Sequence, residues 1–258
     1  MKHVVQKLSE IDSEQVGLIV YSTEKQEYVC SLQGDLTVPL ASSAKVAIGY
    51  AITLWVQEGI LSWEDIVENI SYNPEEDSKE IYPHFQYRTS LLLREAVEVM
   101  ITCHDSMVAD RVVQFCGGWD NVNKKIQSHY PTITVTNDPT DLENKGQLDQ
   151  VFQIMLSIFN GHKVNPLLWT PIMNGLVRQK GDVEGIPAHH LNHMTGGLEN
   201  IIVDIGMLGD LTHHPFIFTF GAKQLPSRYS SLDSDIAFHE VMKRLYMEYN
   251  DQHLIERR

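Results

Sequence analysis

Residues 39–52 read PLASSAKVAIGYAI, and what Ser42 and Lys45 do there decides how the rest of the chain is read. Val46, Ala47, Tyr50, Ala51, Leu54 and Trp55 recur at helical spacing, and Gly59 closes the run, so the pattern predicts a helix over 43–59. One turn of helix brings residues three apart onto one face, where Ser42 and Lys45 meet. Two readings stand side by side: Ser42 is a nucleophile with Lys45 as its base, or a serine caps the helix and Lys45 is solvated. A serine hydroxyl attacks poorly until a neighbour takes its proton, and a lysine takes it only where burial or nearby positive charge lowers its pKa. The helix N-terminus favours the neutral amine and offers free N–H groups to an oxyanion. A second Ser-x-x-Lys, from Ser22 to Lys25, falls in a hairpin turn, where nothing makes the pair face each other.

Working outward, residues 2–12 read as a short helix, and 17–23 with 27–32 as two strands joined through Glu24, Lys25 and Gln26. Helices follow at 90–103, 105–115, 119–128, 147–160 and 166–177, and strands return at 189–195, 201–208 and 215–222 before a last helix over 234–249. A lone hairpin is too small to be stable, so the early strands are expected to join the late ones in one five-stranded antiparallel sheet with the terminal helices on a face. The result is an α+β single domain of two lobes: residues 1–38 and 179–258 form the sheet lobe, and 39–178 an all-helical lobe. The polar stretch SYNPEEDSKE, 71–80, reads as a solvated loop.

At 258 residues, with 43% hydrophobic and 21% charged residues, the chain builds a substantial core. Its formal net charge of −14 repels polyanions, which excludes nonspecific binding to nucleic acid or an anionic membrane. No apolar run has the length of a secretory signal or a membrane span, so the expected address is cytoplasmic. Cys30, Cys103 and Cys116 have no CxxC pairing and read as buried thiols. His189, His190 and His193, with His213 and His214 downstream, lack a carboxylate or cysteine to complete a ligand set, and no metal or nucleotide cofactor is expected.

In order along the chain, PLASSAKVAIGYAI, LLLREAVEVMITCHDSMVADRVVQFCGG (91–118) and HHLNHMTGGLENIIVDIGML (189–208) resemble the three signature regions of class A β-lactamases and the penicillin-binding serine peptidases. The resemblance spans nearly the whole chain and includes Gly117 and Gly118, Asp204-x-Gly206 and the closing helix. It implies the same five-stranded sheet beside a helical lobe. Ser42 and Lys45 match the family nucleophile and its lysine. The family's Ser-Asp-Asn stands here as His104-Asp105-Ser106, so the resemblance puts His104 at the proton shuttle, a change that either preserves the relay or marks its decay. Its Lys-Thr-Gly stands as Met194-Thr195-Gly196, which removes the cation that helps hold a substrate carboxylate unless His193 or His104 substitutes. Thr195 keeps its hydroxyl, and Gly197 with Ser42 falls at the oxyanion hole. The Glu-x-x-Leu-Asn loop has no clean counterpart in TNDPTDLENKG, 136–146, where Asp138, Asp141 and Glu143 are the carboxylates available for deacylation, Glu143 and Asp138 foremost.

The resemblance therefore implies a serine acyl hydrolase acting on a small-molecule amide or ester, a β-lactam among the candidates. The alternative is a degenerate descendant that keeps the fold as a ligand- or protein-binding module. The substrate and the oligomeric state are left open by the sequence.

Overall fold

The computed structural model describes residues 1–255, with side chains through residue 252. In chain order the elements are α1 (Lys2–Leu8), β1 (Gln15–Ser22), β2 (Glu27–Leu32), β3 (Thr37–Pro39), α2 (Ala44–Gln57), β4 (Ile66–Glu68), α3 (Ser78–Ile81) and β5 (Ser90–Leu92). Next come α4 (Leu93–Thr102), α5 (Ser106–Phe115), α6 (Trp119–Gln127), β6 (Lys145–Gln147), α7 (Leu148–Val164) and α8 (Pro166–Arg178). The chain closes with β7 (Leu191–Leu198), β8 (Ile201–Leu208), β9 (Phe216–Lys223) and α9 (Asp233–Ile255).

The expected sheet is present. Its order is β2-β1-β9-β8-β7, and every neighbouring pair is antiparallel. Strand β8 is buried along its whole length because helices cover both faces, and alternate residues enter different cores. Val203, Ile205 and Met207 join Met194 and Ile217 in the core shared with the central helices. Ile202 and Leu208, with Phe216, Phe218 and Phe220 of β9, pack under α1 and α9. Each such fully buried apolar side chain stabilises the fold by about 1.5–3 kcal/mol.

Helix α2 is the axis of the helical layer. Of its 14 residues all but Leu54, Val56 and Gln57 are buried, which makes it a helix enclosed on every side rather than the one-sided helix its sequence spacing suggested. Gly49 lets the neighbours in: a Cβ there would lie 3.2 Å from Ile101 of α4 and from Ile172 of α8.

Element ends differ from expectation for local reasons. The helix expected over 2–12 stops at Leu8, where the Ser9 hydroxyl donates back to the Gln6 carbonyl. Residues 90–92 leave the helix expected over 90–103 to pair with β4. Residues 188–190 form a 3-10 turn after Pro187, closed by His190 N donating to the Pro187 carbonyl, so β7 begins at Leu191 and His189 and His190 are not on it. Among the described residues no helix is long and apolar enough to cross a membrane.

Candidate active site

Ser42 sits in the middle of a 3-10 turn, Ala41–Ser43, between β3 and α2. The turn is forced: Ala41 has φ +48, a left-handed conformation that costs an alanine of order 1 kcal/mol. Two side chains hold it. Ser43 donates its hydroxyl to the Leu40 carbonyl at 2.6 Å, and Asn144 donates Nδ2 to the Ala41 carbonyl at 2.9 Å. Since Ser43 takes the local backbone bond, the Ser42 hydroxyl is left half-buried and facing its neighbour one turn on.

That neighbour is Lys45, whose Nζ donates to Ser42 Oγ at 3.3 Å. Lys45 is only 4% exposed, so it is not the solvated lysine of the capped-helix reading. Burial lowers its pKa from 10.5 to about 8, with Glu76 and Asp105 pulling the other way. An amine with that value is partly unprotonated near neutral pH, as a base must be.

The second signature follows α4. His104 has φ +56, and Asp105 caps α5 by accepting from the backbone N–H groups of Met107 and Val108 at 3.1 and 3.0 Å. Asp105 also accepts from Asn73 N, and Asn73 Nδ2 donates to Ser106 Oγ at 3.1 Å. Segment 71–80 is the expected solvated loop only in part: Asn73 pins it to the second signature, and Ser78 is buried. Ser71, Glu75, Lys79 and Glu80 remain exposed.

His104 is oriented by Gln179, the residue after α8, whose helix end is tied to α4 by the Arg178–Glu98 ion pair. Gln179 Nε2 lies 2.8 Å from His104 Nε2, 2.7 Å from the Lys180 carbonyl and 3.3 Å from Thr195 Oγ1. A carbonyl only accepts, so the Gln179 atom is the amide nitrogen, and His104 Nε2 must accept from it. His104 thus carries its proton on Nδ1. Burial first, then Lys45 and His193, depress its pKa to about 3.

On the third signature, β7 runs against the Ser42 turn. A Cβ on Gly196 would lie 2.4 Å from the Leu40 carbonyl oxygen and 3.2 Å from Ser43 N, so only glycine lets the strand approach this closely. Gly197 is exposed beside Arg228, which is anchored by Asp235 and by the Leu198 and Ile201 carbonyls. Met194 is wholly buried in the core. His193 turns to the other face, where Nδ1 lies 2.8 Å from Asp204 Oδ2 and Nε2 3.0 Å from the Gly181 carbonyl. Both ring nitrogens meet acceptors. Burial pulls the His193 pKa down, but the Asp204 carboxylate more than offsets it and leaves the value raised.

Segment 136–146 does not aim its acids at Ser42. Glu143 is exposed and pairs with Lys145 at 2.7 Å, while Asp138 closes its own turn on the N–H and hydroxyl of Thr140. Asp141 does the same for Glu143 N. The carboxylates within electrostatic reach of Lys45 are Asp105 and Glu76, and burial raises the Glu76 pKa.

Three residues escaped the sequence reading. Gln179 lies outside every motif and left no signal. Glu76 was hidden in a polar stretch. Asn144 had one: it ends the Leu142-Glu143-Asn144 run, and it is 1% exposed. With Ala41, Lys45, Ser106 and Pro139 it lines a cavity of about 20 Å3, the size of one water, and among the described residues its Oδ1 has no hydrogen-bond partner.

Comparison with known proteins identifies the fold. The fold is that of PBP-A, with a TM-score of 0.79 at 18% identity over 97% of this chain and 95% of that one. It is equally that of a β-lactamase from Chitinophaga pinensis, with a TM-score of 0.79 at 16% identity, covering 96% and 98% of the two chains. A reconstructed ancestral class A β-lactamase (GNCA) matches at a TM-score of 0.76, 16% identity and the same coverage. No curated protein matches by sequence. The sequence profile of the Beta-lactamase enzyme family matches residues 1–247, and the chain belongs to that family.

Proposed function

We propose that the protein is a serine acyl hydrolase in which Ser42 attacks an amide or ester carbonyl and Lys45 is the base. The observation that carries this reading is the 3.3 Å approach of an almost fully buried amine to the Ser42 hydroxyl. Burying an ammonium costs several kcal/mol, and a neutral amine beside a nucleophile avoids most of that cost.

In the proposed step the Ser42 Oγ–C bond forms as its proton passes to Lys45 Nζ, and the backbone N–H groups of Ser42 and Gly197 receive the oxyanion. The carbonyl re-forms, the C–N or C–O bond breaks, and Lys45 returns its proton to the leaving atom. His104, with Nε2 held by Gln179 and a pKa near 3, donates from Nδ1 without itself carrying charge, a narrower role than a shuttle. Thr195 and Ser106 offer hydroxyls to the substrate. Release of the acyl group needs water, and Asn144 Oδ1 with Lys45 Nζ are the groups set to hold it. The similarity to PBP-A, one mutant of which is known as an acyl-enzyme complex with penicillin G, supports trying β-lactams among the acyl donors.

A second reading, a binding module that has lost turnover, is favoured by Met194 and by the outward Glu143 and Asp138. Intact-protein mass spectrometry separates the two. Exposure to a fluorophosphonate, an activated ester and a penicillin should add one acyl or phosphonyl group at Ser42, absent in Ser42→Ala. No adduct from any of the three would leave the binding module standing.

A further inference from the structure

We infer that His193 is a positioning residue for the proposed acyl-transfer site: through the Gly181 carbonyl it holds the segment that follows α8, and that segment keeps Gln179 against His104. This rests on the acyl-transfer reading of Ser42 and says what braces the groups around it.

The segment has little else to hold it. Among the described residues, 180–182 make no backbone–backbone hydrogen bond, although they follow almost directly on α8. Lys180 reaches Asp77 and Glu80, but it is exposed, and ion pairs at the surface hold a backbone weakly. The remaining ties run to one face of β7, where residues two apart point the same way. Thr195 Oγ1 meets Gln179 Nε2 at 3.3 Å, a long bond, whereas the Gly181 carbonyl lies 3.0 Å from His193 Nε2. Glycine permits that approach, since a Cβ at 181 would collide with the imidazole.

His193 is firmly set for this task. It is 2% exposed, and its Nδ1 lies 2.9 and 2.8 Å from the two oxygens of Asp204, which is wholly buried. With an acceptor at each ring nitrogen, the protonated imidazole donates on both sides, and the Asp204 carboxylate supplies the counter-charge. Stability alone is a poor reason for such a pair, because apolar residues of similar volume often hold a core as well or better without desolvating two charges. What an apolar pair cannot do is fix a carbonyl on the neighbouring segment. Two residues before that carbonyl, Gln179 Nε2 donates to His104 Nε2 at 2.8 Å, so freeing Gly181 loosens the amide that keeps the His104 proton on Nδ1.

The test compares two neutral replacements of the buried pair that differ in reach. In His193→Gln with Asp204→Asn the new amide nitrogen falls where Nε2 was and still serves the Gly181 carbonyl. In His193→Asn with Asp204→Asn it falls where Nδ1 was and does not. Acylation of Ser42 by the 4-nitrophenyl and trifluoroethyl esters of one acid is followed by adduct mass, and the His104 tautomer by 15N–1H spectra. The first double variant should keep His104 protonated on Nδ1 and react at close to the wild-type rate. The second should show both tautomers and lose roughly tenfold with the trifluoroethyl ester but at most roughly twofold with the nitrophenyl ester, because a hydrogen bond to the departing oxygen matters most when that oxygen leaves poorly. Double variants that behave alike, or a loss in the second that is equal for the two esters, overturn the positioning role while leaving Ser42 as nucleophile. Spectra of the unaltered protein should show a proton on His193 Nε2, and a bare Nε2 overturns the role however the variants fold. No Ser42 adduct from either ester in the unaltered protein removes acyl transfer itself, and the inference with it.

Discussion

Gln179 donates its amide N–H to His104 Nε2 at 2.8 Å, across the gap between the end of α8 and the start of α5. Because the same nitrogen also serves the Lys180 carbonyl, the amide cannot turn round, and the imidazole is fixed in one tautomer. Long-range 15N–1H spectra of histidine-labelled protein should show His104 protonated at Nδ1 alone from pH 5 to 9. Gln179→Glu replaces the donor with an acceptor, so the proton should move to Nε2 and the ring should titrate near or above its ordinary value. An unchanged spectrum in the variant would show that Gln179 does not set the tautomer.

Lys45→Met should keep the fold and abolish reaction. A pKa lowered from 10.5 to about 8 corresponds to about 3 kcal/mol of instability at pH 7. The sign follows from linkage: the unfolded lysine holds its proton more tightly than the folded one, so wild-type stability rises with pH between 8 and 10.5. Melting curves should therefore show the variant several degrees more stable at pH 7, with an advantage that narrows as pH climbs through that window. Ser42 labelling should fall by 10^2-fold to 10^4-fold, on the order expected for losing a general base.

The rate of Ser42 acylation by a neutral activated ester should rise with pH through about 8 and then level, since the unprotonated amine is the reactive form. Below that point it should drop about tenfold per pH unit. Quenched-flow labelling between pH 6 and 10 measures this directly, and a flat profile would remove Lys45 as the base.

Asn144→Ala should separate acylation from release. It removes the side-chain donor to the Ala41 carbonyl, which keeps a backbone N–H, at a cost of about 0.5–1.5 kcal/mol in stability, and removes the buried Oδ1 from the small cavity. A nitrophenyl ester should still give a burst, followed by turnover slowed tenfold or more. A burst and steady state slowed by the same factor would assign Asn144 to the turn alone.

Much of the molecule was legible before any coordinates, because its strongest signals are periodic. The IIVDIGML and PFIFTFGA runs gave β8 and β9, and the apolar spacing after Lys45 gave α2. Even the pairing of the early hairpin with the late strands followed from the instability of a lone hairpin. The depth of α2 did not follow, since spacing on one face says nothing about what other helices cover the rest. Side-chain direction was the other blind spot. Glu143 and Asp138 were candidates by position, yet a lysine two residues away and an Asx turn hold them, whereas Glu76 is the carboxylate that, with Asp105, acts on Lys45. Gln179 entered the site only through the path of the chain after α8, which no local pattern encodes.

Of the proposed reactive pair, Ser42 stands just before helix α2 and Lys45 in its first turn, and α4, α6, α7 and α8 enclose the rest of the helix. On the proposed reading, activation of the hydroxyl is anchored in the most enclosed helix of the molecule, while Asn73, Asn144 and Gln179, which brace the surrounding side chains, hang on surface excursions. Drift in those excursions can retarget the protein to new acyl donors without disturbing how the hydroxyl is activated. Descendants of such a chain should differ in appetite long before they differ in chemistry.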